Sequence, residues 1–158
     1  MTQKGIQTTY RFATLEDVTL LARMNRALTE DERHRNRSRP LAWFEERMRN
    51  FLIGGYRAVL FERDGQVVAY ALYADLTDSD TIYLRQLFVE RTRRRQGIGR
   101  EAMRLLMGEI WPRNRRLTVE VLVGNAAALA FYRAIGYQEY SIELEIPASE
   151  RGKDPSAT

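Results

Sequence analysis

The sequence contains no cysteine and only one histidine. Without thiols it has no disulfide framework, no thiolate nucleophile and no thiolate ligand for a metal. It also lacks an apolar run long enough to cross a bilayer, and its first residues lack the apolar segment of a secretory signal. We therefore expect a cytoplasmic protein with no membrane association and no thiol chemistry.

Positive charge is slightly in excess, with 25 Lys and Arg against 21 Asp and Glu, a net charge of +4. Four of the five residues from 91 to 95 are arginine. A solvated loop is the simplest interpretation of such a run. Nucleic-acid binding is disfavoured, because no aromatic residues are interleaved with the arginines and no DNA-binding motif is present. The same charge suits a small ligand that carries several phosphates.

The length of 158 residues and the apolar content of 44% are typical of one soluble globular domain with its own core. The chain shows neither an internal repeat nor a domain linker. We predict a single domain over residues 1–147, followed by a polar tail, 148–158, that is expected to be flexible.

The most informative stretch joins a strand to a helix through a glycine-bearing loop. Ile82 to Val89 is an apolar run rich in strand formers. The charged loop that follows ends in Gly97-Ile98-Gly99, after which apolar residues recur at helical spacing. The first N–H groups of a helix lack internal partners and carry partial positive charge, and glycine lets the backbone approach an anion. The pattern therefore indicates a phosphate site.

Other phosphate loops fit this stretch poorly. A Walker loop would need a Lys-Ser/Thr pair after its last glycine, which is absent. The dinucleotide fingerprint is formally met by Gly97, Gly99 and Ala102, but it is weak alone and lies late in the chain, without the opening βαβ unit.

The other elements follow from periodicity and turn signals. Strands are predicted at Ile6 to Phe12, on both sides of Asp64-Gly65, and at Leu117 to Val123. Thr14 and Asp17 predict a capping box, and Pro40 suits the first turn of a second helix. Alternation from Tyr137 to Ile146 predicts one or two edge strands. The order is β-α-α-β-β-β-α-β-α-β, an α/β sandwich with a mixed sheet.

Two motifs resemble those of the GNAT family of N-acetyltransferases. Arg94-Arg95-Gln96-Gly97-Ile98-Gly99 resembles the family's Arg/Gln-x-x-Gly-x-Gly/Ala signature. Downstream, Asn125, Ala128, Tyr132, Gly136 and Tyr137 match its Asn-x-x-Ala-x-x-x-Tyr-x-x-x-Gly-Phe/Tyr helix. Two motifs in the right order are far more specific than either alone.

The resemblance implies a mixed, mostly antiparallel sheet flanked by about four helices, whose fourth and fifth strands splay apart. It also implies acetyl-CoA as co-substrate, no metal, and transfer of the acetyl group to a primary amine. The cofactor-binding residues it implies are Leu87, Phe88, Val89, Arg94, Arg95, Gln96, Gly97, Ile98, Gly99, Arg100, Asn125 and Tyr132.

Two of these residues carry implied catalytic roles. The N–H of Leu87 would face the thioester oxygen, and Tyr132 would protonate the leaving thiolate, which suits a phenol with a pKa of about 10. Without the motif, Tyr132 would be interpreted as a core aromatic of an amphipathic helix. Asn125 is equally well explained as a helix N-cap, and the two roles are compatible.

No general base can be carried over from the family. Some members have an acid early on the fourth strand, where this chain has Tyr83. Glu30, Asp31 and Glu32 lie in the segment that lines the acceptor site in the family, and they could attract a cationic amine or relay a proton. A solvated acidic cluster is the competing interpretation. The single histidine, His34, stands among arginines, which is typical of an exposed residue.

Three functional hypotheses remain open at this point. The first is an acetyl-CoA-dependent N-acetyltransferase acting on an amine of a small molecule, peptide or protein. The alternative is a non-catalytic GNAT domain that binds acyl-CoA and regulates. The third, an RNA-binding or nucleotide-phosphate-binding domain, would bind polyanions with steep salt dependence. The exposed edge at Tyr140 to Ile146 also suggests a homodimer.

Overall fold

A computed structural model describes residues 7–152, which form one sheet between two layers of helices. The strands in this range are β1 (Thr9–Phe12), β2 (Tyr56–Arg63), β3 (Gln66–Leu76), β4 (Thr81–Val89) and β5 (Arg116–Val119). The α-helices in this range are α1 (Val18–Asp31), α2 (Leu41–Ile53), α3 (Ile98–Leu105) and α4 (Ala126–Ile135). The predicted fold class is confirmed. No helix among the described residues is long and apolar enough to cross a membrane.

The predicted capping signals lie just before the first two helices, although Thr14 caps a 3-10 turn and not α1 itself. The Thr14 hydroxyl accepts a hydrogen bond from the Glu16 N–H at 3.3 Å, and the Thr14 N–H donates to Asp17 Oδ2 at 2.8 Å. This capping box opens a short 3-10 turn that leads into α1. Pro40 precedes the first residue of α2, where its fixed φ and missing N–H cost little.

The sheet has the strand order β1-β2-β3-β4-β5, and only β4 and β5 run parallel. At the predicted hairpin between β2 and β3, Asp64 and Gly65 have φ angles of 52° and 74°. Two successive left-handed residues are the geometry that Asp-Gly favours in a two-residue hairpin. The parallel pair requires a crossover, and α3 supplies it. Helix α3 therefore begins directly beside the end of β4.

Each face of the sheet buries its own apolar cluster. Helices α1 and α2 cover one face, and the fully buried residues there include Leu21, Phe44, Leu60, Tyr70 and Leu72. Helices α3 and α4 lie against the other face, where the buried residues include Phe61, Ala71, Ile82, Met103 and Leu106. Because both faces of β3 and β4 are covered, these strands form a rigid base for the loops at their ends.

The predicted C-terminal edge strand is wrong. Residues 137–147 contain no strand, and the apolar side chains of Tyr140, Ile142 and Leu144 are 86%, 87% and 89% exposed. The alternation is present in the sequence, but a strand also needs a neighbour whose N–H and C=O groups pair with it. Contacts there are an ion pair between Arg35 and Glu145 at 2.8 Å and the Arg116 guanidinium 4.7 Å from the Tyr140 ring centroid. Pairing of protomers along this segment stays a prediction.

The strand bounds at the two ends also differ from the prediction. β1 begins at Thr9 and not at the predicted Ile6. β5 ends at Val119, four residues before the predicted end at Val123. The predicted start at Ile6 lies outside the described residues. In the predicted tail, Ala148–Glu150 forms a 3-10 turn, and residues 153–158 are likewise outside the described range.

A buried ion pair connects β2 to the first turn of α3. Arg63, which is 8% exposed, donates to Glu101 Oε2 at 2.7 Å and to the Thr8 hydroxyl at 2.7 Å. Thr8 in turn donates to the same carboxylate oxygen at 2.9 Å. Burial opposes ionisation of Glu101, but the hydrogen bonds from Arg63 and Thr8 outweigh it and lower the pKa of the carboxyl below its usual 4.5.

Removing this negative charge should destabilise the fold, because it leaves the Arg63 guanidinium buried without a counter-charge. For Glu101→Gln we expect a loss of about 2 kcal/mol of unfolding free energy at neutral pH. Because the folded-state pKa is lowered, the contribution is present above the unfolded value of 4.5 and is lost as pH falls through the folded value. Denaturant unfolding at pH 7 and in acid measures both effects. Glu46→Gln, at an exposed residue of α2, is the control, and equal stability of the two variants would contradict the prediction.

Candidate functional site

A cleft of about 580 Å³ opens where β4 and β5 diverge. The two strands pair only from Thr81 opposite Arg116 to Leu84 opposite Val119, whereas β4 continues to Val89. The far half of β4 therefore forms one wall of the cleft, and residues 119–122 form the other. Helix α4 and the loop before α3 also line it.

A β-bulge in β4 sets which side chains face this cleft. Leu72 pairs with Gln86 and Tyr73 with Leu84, so that Arg85 has no partner residue on β3. The extra residue shifts the alternation, and Leu87 packs on the same face of the sheet as Leu84. The sequence signal for the bulge is the change in apolar spacing after Leu84, which the strand prediction did not use.

Backbone groups of β4 point into the cleft. The Glu90 N–H donates to the Val68 carbonyl at 2.8 Å, so this end of β4 bonds to β3 through alternate residues. Leu87 and Val89 lie between these bonded positions, and their N–H and C=O groups face the opposite side, where β5 has diverged. The Val89 carbonyl accepts a hydrogen bond from Arg94 Nε at 3.2 Å. The N–H groups of Leu87 and Val89 are thus directed at the space between the strands.

The loop before α3 has the backbone geometry of an anion site. Arg95 and Gly97 adopt left-handed φ angles of 65° and 73°, and α3 starts at the next residue, Ile98. Left-handed residues next to a helix start turn successive N–H groups toward one point. A Cβ on Gly99 would lie 3.5 Å from the Phe131 ring and 3.7 Å from Val89, on the side lined by the cleft.

The cleft brings together most of the predicted site residues. Those that line it are Asp31, Glu32, Leu87, Phe88, Val89, Arg94, Arg95, Gly97, Ile98, Gly99, Arg100, Asn125 and Tyr132. Glu30 and Gln96 are exposed and do not line it. Tyr83, at the β4 position where some GNAT members have an acid, is also absent from its walls.

Two of the three predicted acidic residues bind arginines of the loop. Arg91 contacts Glu30 Oε2 at 3.1 Å and Asp31 Oδ1 at 3.0 Å, and Arg94 also pairs with Asp31. These pairs tie the end of α1 to the loop before α3, although the residues are about 60 positions apart in sequence. The charges of Glu30 and Asp31 are therefore already compensated. Arg95 and Arg100 line the cleft and form no ion pair with any described residue.

Tyr132 lies on α4 against the cleft and is 9% exposed. Its ring makes edge-on contacts with Phe131 and Tyr137, at centroid distances of 5.1 and 5.5 Å. Burial foremost, and then the nearby Tyr137 and Glu32, raise the pKa of Tyr132 well above its usual 10.0. The phenol is therefore protonated throughout the neutral range, as a proton donor must be.

Asn125 caps α4 as predicted. Its side-chain oxygen accepts a hydrogen bond from the Ala128 N–H at 3.2 Å, and its own N–H donates to the Leu122 carbonyl at 3.0 Å. The side chain lies in the wall of the cleft as well. The cap fixes the start of α4 and hence the position of Tyr132 two turns later.

Sequence reasoning missed four polar residues of the cleft. Arg85 and Gln86 come from the bulge of β4, Arg93 from the loop before α3, and Glu120 from the segment after β5. Gln86 is 9% exposed and accepts a hydrogen bond from the Tyr70 hydroxyl at 2.8 Å. A glutamine inside an apolar strand was a usable signal, because a buried amide needs a fixed partner.

The remaining acid, Glu32, lies half-buried in the cleft just beyond α1. Burial is the main cause of its raised pKa; the charge of Asp31 adds to it, and Arg47 opposes it.

His34, expected to be exposed, is half-buried instead and accepts a hydrogen bond from the Asn36 N–H at 3.1 Å. Burial, Arg47 and Arg35 lower its pKa, and it does not line the cleft.

The raised pKa of Glu32 predicts that its charge destabilises the fold. A carboxyl whose folded-state pKa exceeds its unfolded value of 4.5 contributes stability below that value and loses it as pH rises through the folded value. Glu32→Gln is therefore expected to raise the melting temperature at pH 7, with the gain vanishing near pH 4. Thermal unfolding across this pH range measures it. A lower melting temperature at pH 7 would show instead that the carboxylate is held by favourable partners.

Comparisons of this sequence with protein families and with known proteins agree with the two sequence motifs. The model of the acetyltransferase (GNAT) family matches residues 20–137. A [ribosomal protein bS18]-alanine N-acetyltransferase of Escherichia coli K12 is 29% identical over 93 residues, which is 58% of this chain. The match spans 62% of that relative's length.

Solved structures share the fold. A predicted acetyltransferase of Clostridium acetobutylicum with acetyl-CoA has a TM-score of 0.71 at 20% identity, covering 92% of this chain and 99% of its own. Aminoglycoside N-acetyltransferase AAC(6')-Iy in complex with CoA has a TM-score of 0.70 at 13% identity, covering 93% and 98%. At these identities the likeness concerns the fold alone.

Proposed function

The chain belongs to the acetyltransferase (GNAT) family, and from this premise we propose that it transfers an acetyl group from acetyl-CoA to a primary amine. The observation that carries the proposal is the cleft between β4 and β5, which combines unpaired strand backbone with an anion-binding loop. Acetyl-CoA would use both features. The unpaired strand backbone would bind its extended pantetheine arm, and the loop would bind its pyrophosphate.

The residues of the loop fit a pyrophosphate. The first N–H groups of α3 have no partner within the helix, and the left-handed Gly97 turns the chain so that they converge. The exposed guanidinium groups of Arg95 and Arg100 would supply compensating charge. Arg94 acts differently, since its bonds to Asp31 and to the Val89 carbonyl fix the shape of the loop. The N–H of Val89 would bond to the pantetheine arm.

The reaction requires a neutral amine, a stabilised oxyanion and a protonated leaving group. The amine nitrogen attacks the thioester carbonyl carbon, a C–N bond forms, and the C–S bond then breaks with the electron pair leaving on sulfur. The N–H of Leu87 would donate to the carbonyl oxygen as negative charge develops there. Tyr132 would give its proton to the departing thiolate, because burial keeps its phenol protonated.

Glu32 is the acid that best suits removal of the proton from the amine. It lines the cleft, and unlike Asp31 it forms no ion pair with a described residue. Because its pKa is raised toward the neutral range, the Glu32 carboxylate is a stronger base than an ordinary carboxylate. It would accept the amine proton either in direct contact with the amine or through one water. We assign the role of general base to Glu32 alone, because Glu30 and Asp31 form ion pairs with Arg91 and Arg94.

A non-catalytic acyl-CoA-binding role is the second candidate. The observation in its favour is that β4 contributes Arg85, Gln86 and apolar residues to the cleft, but no carboxylate. Such a domain would bind the thioester without turning it over.

Release of free CoA thiol on a panel of amines separates the two candidates. The panel should include peptides with a free N-terminal alanine and small amines, since the relatives named above act on a ribosomal protein alanine and on aminoglycosides. Amine-dependent thiol release above the rate of hydrolysis supports the transferase. Acetyl-CoA binding with no release on any amine would support the regulatory domain.

A further inference from the structure

Two neighbouring arginines, Arg85 in the wall of the cleft and Arg47 beside it, form no ion pair among the described residues. Arg85 is the bulge residue of β4; it is exposed and lines the cleft. Arg47 lies on α2 and is half-buried, close enough to Arg85 for the two charges to affect each other. Neither forms an ion pair within 4.0 Å among residues 7–152, and this includes the acids of the cleft wall, Glu32 and Glu120.

Aromatic rings position both guanidinium groups. The Arg85 guanidinium carbon lies 4.9 Å from the Phe51 ring centroid and 5.7 Å from that of Tyr56, whose hydroxyl accepts a hydrogen bond from Arg85 at 3.3 Å. Arg47 lies 5.4 Å from the same Phe51 ring and 5.3 Å from Trp43. Cation–π contacts of this kind hold a guanidinium group in place beside the ring.

This arrangement is unfavourable unless something else binds there. Arg47 Nη1 is buried and has no hydrogen-bond partner, which is costly for a charged donor. Burial foremost, and then the charge of Arg85, lower the pKa of Arg47, and these effects outweigh the opposing effects of Tyr70 and Glu32. By contrast, Arg11, Arg63 and Arg91 all have carboxylate partners within 3.1 Å. An oxyanion bound beside the two guanidinium groups would reduce their repulsion.

We propose that Arg47 and Arg85 form a subsite for a carboxylate of the acceptor, so that the acceptor is an amine that also bears a carboxylate. The inference rests on the proposed function. Arg85 precedes Leu87 by two residues, roughly 7 Å along the strand, which places the subsite within reach of the amine. The acceptor would then direct its amine toward Glu32 and its carboxylate toward the arginines. Amino acids and short peptides with a nearby acidic group have this chemistry, whereas the arginines repel polycations.

The acidic segment from Glu30 to Glu32 could attract a cationic amine, but two of its three charges are compensated by Arg91 and Arg94. Glu32 and Glu120 of the cleft wall and the guanidinium groups of Arg47 and Arg85 remain without an ion pair among the described residues. Their balance fits a zwitterion better than a polyamine.

Matched pairs of amines test the subsite. Each pair is an amino acid or ω-amino acid and its carboxamide, which differ only in the anion. For wild type we expect kcat/KM to favour the acid by about 10-fold or more for the best pair, as a charge-assisted hydrogen bond implies. In Arg85→Met and Arg47→Met the acid-to-amide ratio should approach one, since methionine keeps the contact with Phe51 but removes the charge. Arg85→Glu should reverse the preference, toward diamines over amino acids.

A binding readout separates this inference from the proposed function. Calorimetry compares N-acetylated acids with their amides on wild type and on Arg85→Met, without any turnover. Preferential binding of the acid that Arg85→Met abolishes supports the subsite, even if no amine releases CoA thiol and the transferase fails. Equal turnover and equal binding of acid and amide by wild type, or a preference that Arg85→Met leaves intact, would overturn the subsite while the transferase stands.

Discussion

Replacing Gly99 with glutamate is expected to weaken acetyl-CoA binding by about 100-fold or more. A Cβ at this position would lie 3.5 Å from Phe131 and 3.7 Å from Val89, which is ordinary contact, so the fold accommodates it. The rest of the side chain would extend toward the cleft and place a carboxylate beside the position proposed for the pyrophosphate. Repulsion and lost hydrogen bonds together cost about 3 kcal/mol, which corresponds to roughly two orders of magnitude in affinity. Isothermal calorimetry with acetyl-CoA measures it.

Gly108→Glu is the matched control for charge. Gly108 follows α3 on an exposed helical turn, has open space around it, and does not line the cleft. The same added carboxylate there should leave affinity within about 2-fold of wild type, because surface charges at such a distance are largely screened. Equal affinities of Gly99→Glu and wild type would show that the phosphates bind elsewhere.

Substitutions at Gly97 and at Gly99 are expected to act in different ways. No atom lies within 4 Å of a Cβ built on this residue, but its φ of 73° is one that alanine adopts with strain. A substitution there thus acts on the loop's conformation, whereas a substitution at Gly99 acts on the cleft. This difference makes Gly99 the better position for a test of ligand binding.

The second large effect is expected at the leaving group. Tyr132→Phe should lower kcat about 100-fold while leaving the affinity for acetyl-CoA nearly unchanged, because it removes a proton donor and retains the buried ring. Steady-state kinetics with the best amine of the panel, together with calorimetry, separates the two quantities. A wild-type kcat in Tyr132→Phe would assign protonation of the thiolate to water or to another group.

Tyr137→Phe controls for disturbance of the aromatic cluster. Tyr137 contacts Tyr132 at a centroid distance of 5.5 Å, and its hydroxyl is buried without a hydrogen-bond partner. Removing that hydroxyl relieves an unsatisfied polar group and should not slow catalysis. A fall in kcat equal to that of Tyr132→Phe would point to packing of the rings and not to proton transfer.

Local signals in the sequence predict a large part of this fold. The Thr14 capping box, the Asp64-Gly65 hairpin and the Asn125 cap each involve residues a few positions apart, so propensity and hydrogen bonding decide them. The glycine loop before α3 was also predictable, because a left-handed turn at a helix start requires a residue such as Gly97.

Features that depend on distant partners were not predictable. The Arg94–Asp31 and Arg91–Glu30 pairs join α1 to the loop before α3, and no local pattern shows that these segments meet. The segment 137–146 alternates as a strand does, yet it has no neighbouring strand to pair with in the described structure. A single segment can show the alternation, but a strand in a sheet also requires a second segment that pairs with it.

The measurement that tests the central claim most directly is a calorimetric titration of the wild-type protein with acetyl-CoA at low ionic strength. The cleft between β4 and β5 predicts saturable binding of one molecule per chain, which weakens with added salt and is lost in Gly99→Glu but kept in Gly108→Glu. Absence of binding by folded wild-type protein, or equal binding by the Gly99→Glu variant, would contradict the assignment of this cleft to acetyl-CoA.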